Sequence, residues 1–348
     1  MRHSVHTSRF ESCAYLSHDR IASHASAYET IAELSRTYGG DVSGAIAVRM
    51  TIRRSRMHRT RTGKPLALTS RDVEIFKTLC RYRFLRSTYL HAFVGGESEK
   101  RFKERLGDLF HEGYLDRPVE QWRFADARFS PVVHELGKGG HDALLHSEGG
   151  LSDAITWLSD GARRQFEHAH MICAVVASIE LAARDRSDIR FIPWPEILAK
   201  APESTRQSER PFLMPSANGA VAPDAIFGLE YRVDGRRTYR FFALEADRGT
   251  MPVSRGNAAG TSFRGKLNAY SEIVRGRIHK ARLGIPNLLV LTVTTSEQRV
   301  AAMLERVQGD EPVFLFKAAG ALLSPCNGLL ADPWQRAGQP ALLIGQPS

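Results

Sequence analysis

The chain has 348 residues, 43% hydrophobic and 25% charged, with a formal net charge of +10. That is enough apolar material for two domain cores, and no stretch of the sequence suggests the roughly 18 to 20 consecutive apolar residues of a membrane helix, so no membrane role is expected. Four cysteines, Cys13, Cys80, Cys173 and Cys326, stand far apart with no C-x-x-C pair, which excludes a patterned zinc site or a disulfide framework and suits a reducing cytoplasm.

The N-terminus, MRHSVHTSRFESCAYL, has no long apolar segment and no small-residue cleavage pattern, so secretion is not expected. Residues 1–64 read as a basic, disordered arm: 11 Lys/Arg face 5 Asp/Glu over residues 1–65, and RMTIRRSRMHRTRTGK (49–64) holds seven Lys/Arg and no acid. Such a run is either a solvated tail or a segment that lies along phosphates, which nominates Arg53 and Arg54 for DNA contact.

Residues 65–150 come next. Thr69 is a good helix N-cap with Asp72 as its capping-box partner, and Val73, Ile75, Phe76, Leu79 and Cys80 follow at helical spacing. RSTYLHAFVGG gives a second short helix, ended by Gly95 and Gly96. The third, ESEKRFKERLGDLFHEGYL, carries Phe102, Leu106, Leu109 and Phe110 on one side and Lys100, Arg101, Lys103 and Arg105 in its first two turns. Two extended segments joined by a polar turn span YLDRPVEQWRFADARFSPVVHEL, and a last helix begins near Lys138. Three short helices and a hairpin are the order of a winged helix-turn-helix, whose third helix enters the major groove of double-stranded DNA. Arg101 and Arg105 are the candidates for base contacts, since arginine pairs bidentately with guanine. A helical module that binds protein is the alternative. A homodimer is allowed, though no heptad or exposed apolar helix argues for one.

Residues 160–320 form a second domain. A strongly apolar helix, ARRQFEHAHMICAVVASIELAAR, precedes the strand-like segments IRFIPW (189–194), AVAPDAIFGLEYR (220–232) and RTYRFFALEAD (237–247). Asp234-Gly235 is a hairpin signal between the last two. A helix over 262–277, a buried strand NLLVLTVTT (287–295), a helix SEQRVAAMLERV and a strand PVFLFK complete a mixed sheet covered by helices. The polar stretch 200–219 reads as a mobile connector and residues 321–348 as a tail.

The segment RFFALEADRGT (240–250) is apolar on both faces until it ends in Glu245 and Asp247. Charge is costly there unless it binds something. Antiparallel pairing can bring Asp224, at the start of the partner strand, to the same end of the sheet as Glu245. Two such carboxylates suit Mg²⁺, which takes few protein ligands and could activate water against a phosphate. Alternatively, Asp247 pairs with Arg248 and the segment is a structural corner, with Gly249 allowing the bend.

The element order, with Pro223-Asp224 and Glu245-Ala246-Asp247, resembles the PD-(D/E)XK nuclease-like fold. Together with the helical module and the KLNAY that follows, it is similar to the replication-relaxation family associated with plasmids and other mobile elements, over roughly residues 66–316. The resemblance implies Mg²⁺ held by Asp224 and Glu245, with Asp247 and a glutamate of the long apolar helix, Glu180 or Glu167, as further ligands. It departs from the motif where a lysine belongs, at Asp247. Lys266 on the next helix either supplies that ammonium or is an ordinary surface lysine. His168 and His170 read as packing or surface residues, lacking the third ligand of a transition-metal set. The functions in view are a DNA-binding protein of the replication-relaxation type, a Mg²⁺-dependent DNA endonuclease or nickase, and a winged-helix transcriptional regulator whose C-terminal domain binds a ligand or partner.

Overall fold

The computed structural model describes residues 54–63, 65–123, 126–146, 166–217, 219–249, 263–307 and 312–347. The chain divides into two compact units, Met1–Arg54 and Ser55–Ser348, and every described helix and strand belongs to the second. Of the basic arm, residues 1–53, with Arg53, and Lys64 lie outside the described residues.

Helix α1 (Ser70–Tyr82) starts where the sequence predicts. The Thr69 hydroxyl accepts from the Asp72 N–H, and the Asp72 carboxylate accepts from the Thr69 N–H at 2.8 Å, so two otherwise orphaned donors are satisfied. Ile75, Phe76, Leu79 and Tyr82 are buried along one face. Helix α2 (Ser87–Val94) and helix α3 (Glu99–Glu112) follow; Ser98 caps α3, and Gly113, in the left-handed region at φ 92°, ends it. The sheet that completes this part has three strands, β1 (Leu85–Arg86), β2 (Leu115–Asp116) and β3 (Val133–Leu136), in the antiparallel order β1-β3-β2. The hairpin is present, but β1 is unforeseen: two residues are too few for alternation to show. Helix α4 (Lys138–Leu145) packs closely against the hairpin at Gly140, where a Cβ would lie 2.4 Å from the Tyr114 carbonyl oxygen.

Residues 55–63 correct the expectation of an arm with no fold of its own. Arg59 donates to the carbonyls of Phe110 and Leu115 at 2.9 Å each, and Arg56 donates to the Ser130 carbonyl at 3.0 Å. The Thr60 N–H meets the His111 ring at 3.0 Å, and Thr62 bonds Glu112. These guanidiniums are occupied by backbone oxygens at the end of α3 and in the hairpin loop.

The main sheet has seven strands. They are β4 (Ile189–Ile192), β7 (Ala225–Val233), β8 (Arg236–Asp247), β9 (Leu289–Thr294), β10 (Phe314–Ala318), β11 (Trp334–Arg336) and β12 (Gln339–Leu342), in the order β12-β11-β10-β9-β8-β7-β4. Strands β8, β9 and β10 run parallel; the outer pairings are antiparallel. Asp234 and Gly235, both at positive φ, make the β7–β8 turn.

Two segments expected to be a connector and a tail are folded. The connector 200–219 folds into helix α7 (Glu203–Arg206), which follows α6 (Trp194–Ala199), and the small hairpin β5 (Met214–Ser216) and β6 (Gly219–Val221), with Phe212 and Met214 buried. The tail carries α11 (Gly328–Ala331) and two strands of the main sheet; Trp334 is fully buried and its indole N–H donates to the Leu329 carbonyl at 2.9 Å.

Helix α5 (Phe166–Arg184) is long and apolar enough to cross a membrane by length and composition, a feature the sequence reading passed over, and most of it is buried. It is apolar all round because it faces two cores. Ala169, Cys173, Ala177 and Leu181 pack into the helical part, and Ile172, Val175, Ile179 and Ala183 into the sheet. The opposite sheet face is covered by α8 (Phe263–Arg275), α9 (Ile278–Leu283) and α10 (Glu297–Leu304).

Candidate functional site

Strand β8 answers the question raised by its two acids. Side chains alternate along a strand. Phe242, Leu244 and Ala246 join the core under α5, while Phe241 and Ala243 join the core under α8. By the same period Glu245 and Asp247 fall on the α8 side, just past the last apolar pair.

Asp224 is next to Glu245, as antiparallel pairing predicts. Ala225 is in register with Leu244, the Asp224 N–H donates to the Leu244 carbonyl at 3.0 Å, and the Asp224 carboxylate accepts from the Ala246 N–H at 2.9 Å. Lys266 and Tyr270, one turn apart on α8, both reach Glu245: the Lys266 ammonium pairs with one oxygen, and the Tyr270 hydroxyl donates to the other at 2.6 Å. The structure therefore brings Asp224, Glu245 and Lys266 together. His168, from the first turn of α5, is the residue sequence reasoning missed; its Nε2 lies 3.2 Å from an Asp224 oxygen. HAH offers two histidines and no signal of which one turns toward the sheet. His170 is the packing histidine of the pair: it stacks on Phe166, and burial pushes its pKa down to about 3.

The electrostatics of the cluster are unbalanced. Burial, and then the negative charge of Asp224, push the Glu245 carboxyl up to about 7, more than Lys266 and Tyr270 pull it down. Lys266 is raised above its ordinary value: burial opposes its charge, but Glu245 and Asp224 outweigh it. The bond to Asp224 raises His168 against the effect of burial.

Asp247 and Glu180 do not join this cluster. Asp247 is gripped by Arg299 of α10, whose Nη2 donates to it at 2.9 Å, and by the Thr294 hydroxyl at 3.0 Å. Arg299, not Arg248, answers it; Arg248 pairs with Glu167. The corner reading thus holds for Asp247 with a different partner, and Gly249 makes the bend at φ 78°. Glu180 sits twelve residues beyond His168 on the same helix, about 18 Å along its axis. It is buried against Tyr82, Arg81 at 3.0 Å and Arg184 at 2.7 Å, so it cannot share an ion with Asp224.

Among the described residues no group of three His, Cys, Asp or Glu is placed to hold a metal ion. A hard divalent cation asks for less. Asp224 and Glu245 each spend two hydrogen bonds of about four lone-pair sites. A cavity of about 40 Å³, walled by Glu245, Asp247, Lys266, Tyr270 and Arg299, opens beside Glu245, and Asp224 is not part of its lining. That is room for water or a small ion and little more. The donor set fits Mg²⁺ at Asp224 and Glu245.

On α3, Lys100, Arg101 and Lys103 are exposed, and Lys103 pairs with Glu99 one turn back at 2.7 Å. Arg105 is not available to bases. Its guanidinium donates to both Asp72 oxygens, at 3.0 and 2.6 Å, and to the Ala67 carbonyl at 2.8 Å, because Asp72 is only 1% exposed and needs a counter-charge. Arg71 and Arg101 flank a groove between the N-termini of α1 and α3.

No curated protein and no solved structure matches the chain. The family model described as Replication-relaxation matches residues 76–289, a span that runs from α1 to the first residue of β9 and takes in α3, Asp224, Glu245 and Lys266. The chain belongs to the replication-relaxation family.

Proposed function

We propose that this protein binds double-stranded DNA and acts in the replication of a plasmid or other mobile element. The observation that carries the reading is the order α1-β1-α2-α3-β2-β3, with Lys100, Arg101 and Lys103 exposed on the first two turns of α3. Read as a winged helix-turn-helix, α3 enters the major groove and the β2–β3 loop is the wing. Arg71 and Arg101, with the N-termini of α1 and α3, offer the positive groove a phosphate seeks. Arg54 and the other arginines upstream add charge without adding sequence information. The protein would work in the cytoplasm without a membrane partner, and a homodimer would set two α3 helices about one DNA turn apart. The test is anisotropy of a labelled duplex. Arg101→Ala should weaken binding by about 1–3 kcal/mol. An unchanged affinity would refute the assignment of α3.

A second reading is a Mg²⁺-dependent endonuclease or nickase on a PD-(D/E)XK-like sheet, favoured by the meeting of Asp224, Glu245 and Lys266. Bound Mg²⁺ supplies Lewis acidity and a more acidic water. The chain's part is to hold the ion through Asp224 and Glu245, to keep a positive charge at Lys266 Nζ beside a phosphate, and to fix Asp224 through His168 and the Ala246 N–H. Supercoiled plasmid with Mg²⁺ or Mn²⁺ separates the readings. Nicking that both Asp224→Ala and Glu245→Ala abolish makes the protein an enzyme; DNA binding without nicking leaves the sheet as a scaffold.

A further inference from the structure

Neither reading uses the most exposed large apolar side chain among the described residues. Phe129, in the β2–β3 loop, is 91% exposed, and the next, Val119, is 65% exposed. A single exposed apolar residue is ordinary on a protein surface. The turn beneath this one is not, because hydrogen bonds fix it on every side. The Asp126 carbonyl accepts from the Phe129 and Ser130 N–H groups at 2.9 and 3.0 Å, and the Ser130 hydroxyl donates to the Asp126 carboxylate at 2.8 Å. Arg56 donates to the carbonyls on either side of Phe129, those of Arg128 and Ser130, from 72 and 74 residues away. Arg86 donates to the Pro131 carbonyl at 2.9 Å. The backbone is set before anything binds and the ring is held out in water, so association has little ordering cost left to meet there.

The charge around the ring indicates its partner. Residues 54–63 and 112–130 hold seven arginines against four acids. The excess stands after ion pairing, since the bridge of Arg59 to Asp116 counts one of each. The two carbonyls that hold Arg56 satisfy its N–H groups and leave its charge uncancelled. Arg128, next to Phe129, is itself exposed. A fixed aromatic ring on a cationic surface suits a polyanion that also offers flat apolar faces, and a duplex offers both, its phosphates outside and its base steps within.

We propose that Phe129 is a wedge that bends the bound duplex. The inference rests on the DNA-binding reading and goes beyond it. With α3 in the major groove, the hairpin that begins three residues after α3 carries its loop to the adjacent minor groove. There the ring enters between two base pairs and partly unstacks them, which kinks DNA by roughly 20–90°. Arg56 and Arg128 then face the phosphates that flank the kink. Kinking costs least at pyrimidine–purine steps, so the loop favours a deformable step that no hydrogen bond reads.

The test uses the full chain and a duplex of about 20 bp rich in TA steps, with donor and acceptor dyes at its two ends. The wild type at saturation should raise energy transfer, the mark of a bend. Phe129→Ala should bind about tenfold more weakly, the loss of one stacked aromatic contact, and leave energy transfer near that of the free duplex. Phe129→Met keeps an apolar wedge and should bend the duplex as the wild type does. Both replacements fall on an exposed side chain and should leave thermal unfolding unchanged. If Phe129→Ala still bends the duplex at saturation, Phe129→Met fails to, or the wild type binds without bending, the wedge is overturned while DNA binding stands. No saturable binding by the wild type overturns both. A wild-type dimer that Phe129→Ala splits in sedimentation, with DNA bending unchanged, would make the ring an interface between copies and overturn the wedge.

Discussion

Replacing Glu245 by Gln should change how stability depends on pH, and the structure sets the direction. Glu245 is 7% exposed, and burial with the Asp224 charge raises its pKa from 4.5 to about 7. Between these two values the unfolded chain has released the proton while the folded chain still holds it, so each step up in pH favours unfolding; above 7 both forms are ionised and the loss is complete. A shift of that size corresponds to roughly 3 kcal/mol. Glutamine cannot ionise, so the variant escapes the loss. Urea denaturation of both proteins at intervals from pH 4 to 8, in EDTA to exclude metal, should show the stability difference moving toward the variant by roughly 3 kcal/mol, mostly between pH 4.5 and 7. Changes in groups common to both proteins, His168 among them, largely cancel in that difference. A difference that stays flat, or moves toward the wild type as pH rises, would refute the electrostatic account of the cluster.

Two further outcomes follow from the corrected parts of the fold. Arg105→Ala leaves the buried Asp72 carboxylate without its counter-charge and should cost about 2–4 kcal/mol in urea denaturation, whereas Arg101→Ala should stay within about 0.5 kcal/mol of the wild type. Equal effects of the two would mean that Arg105 is not a staple. Trp334→Ala should cost about 3–5 kcal/mol, because the side chain is fully buried on β11; a cost near zero would return residues 321–348 to the status of a tail.

What the sequence made legible was governed by period and by strong local signals. The Thr69–Asp72 box, the Gly95 stop and the Asp234-Gly235 turn act within a few residues, and all three stand where expected. The juxtaposition of Asp224 and Glu245 was also readable, since one hairpin turn fixes the register between them. Contacts across long separations were not. Arg105 finds Asp72 33 residues away and Arg299 finds Asp247 52 residues away, and nothing local distinguishes such an arginine from a surface one. The same blindness made the arginines of residues 55–63 look available for phosphate when Arg56 and Arg59 are bound to backbone carbonyls. Helix α5 was readable as buried, but not as buried on two sides, so the face carrying Glu180 was assigned to the wrong neighbour. Strand β11 escaped because three residues around one tryptophan carry no alternation.

The most direct test of DNA recognition through α3 is the salt dependence of duplex binding. The affinity of the wild-type chain should fall steeply between about 50 and 200 mM salt, as a protein that displaces phosphate counterions requires. Combined replacement of Lys100, Arg101 and Lys103 by alanine should flatten the slope by about 2–3 units while the fold stays intact. An affinity indifferent to salt, or a slope the three replacements leave unchanged, would contradict the account.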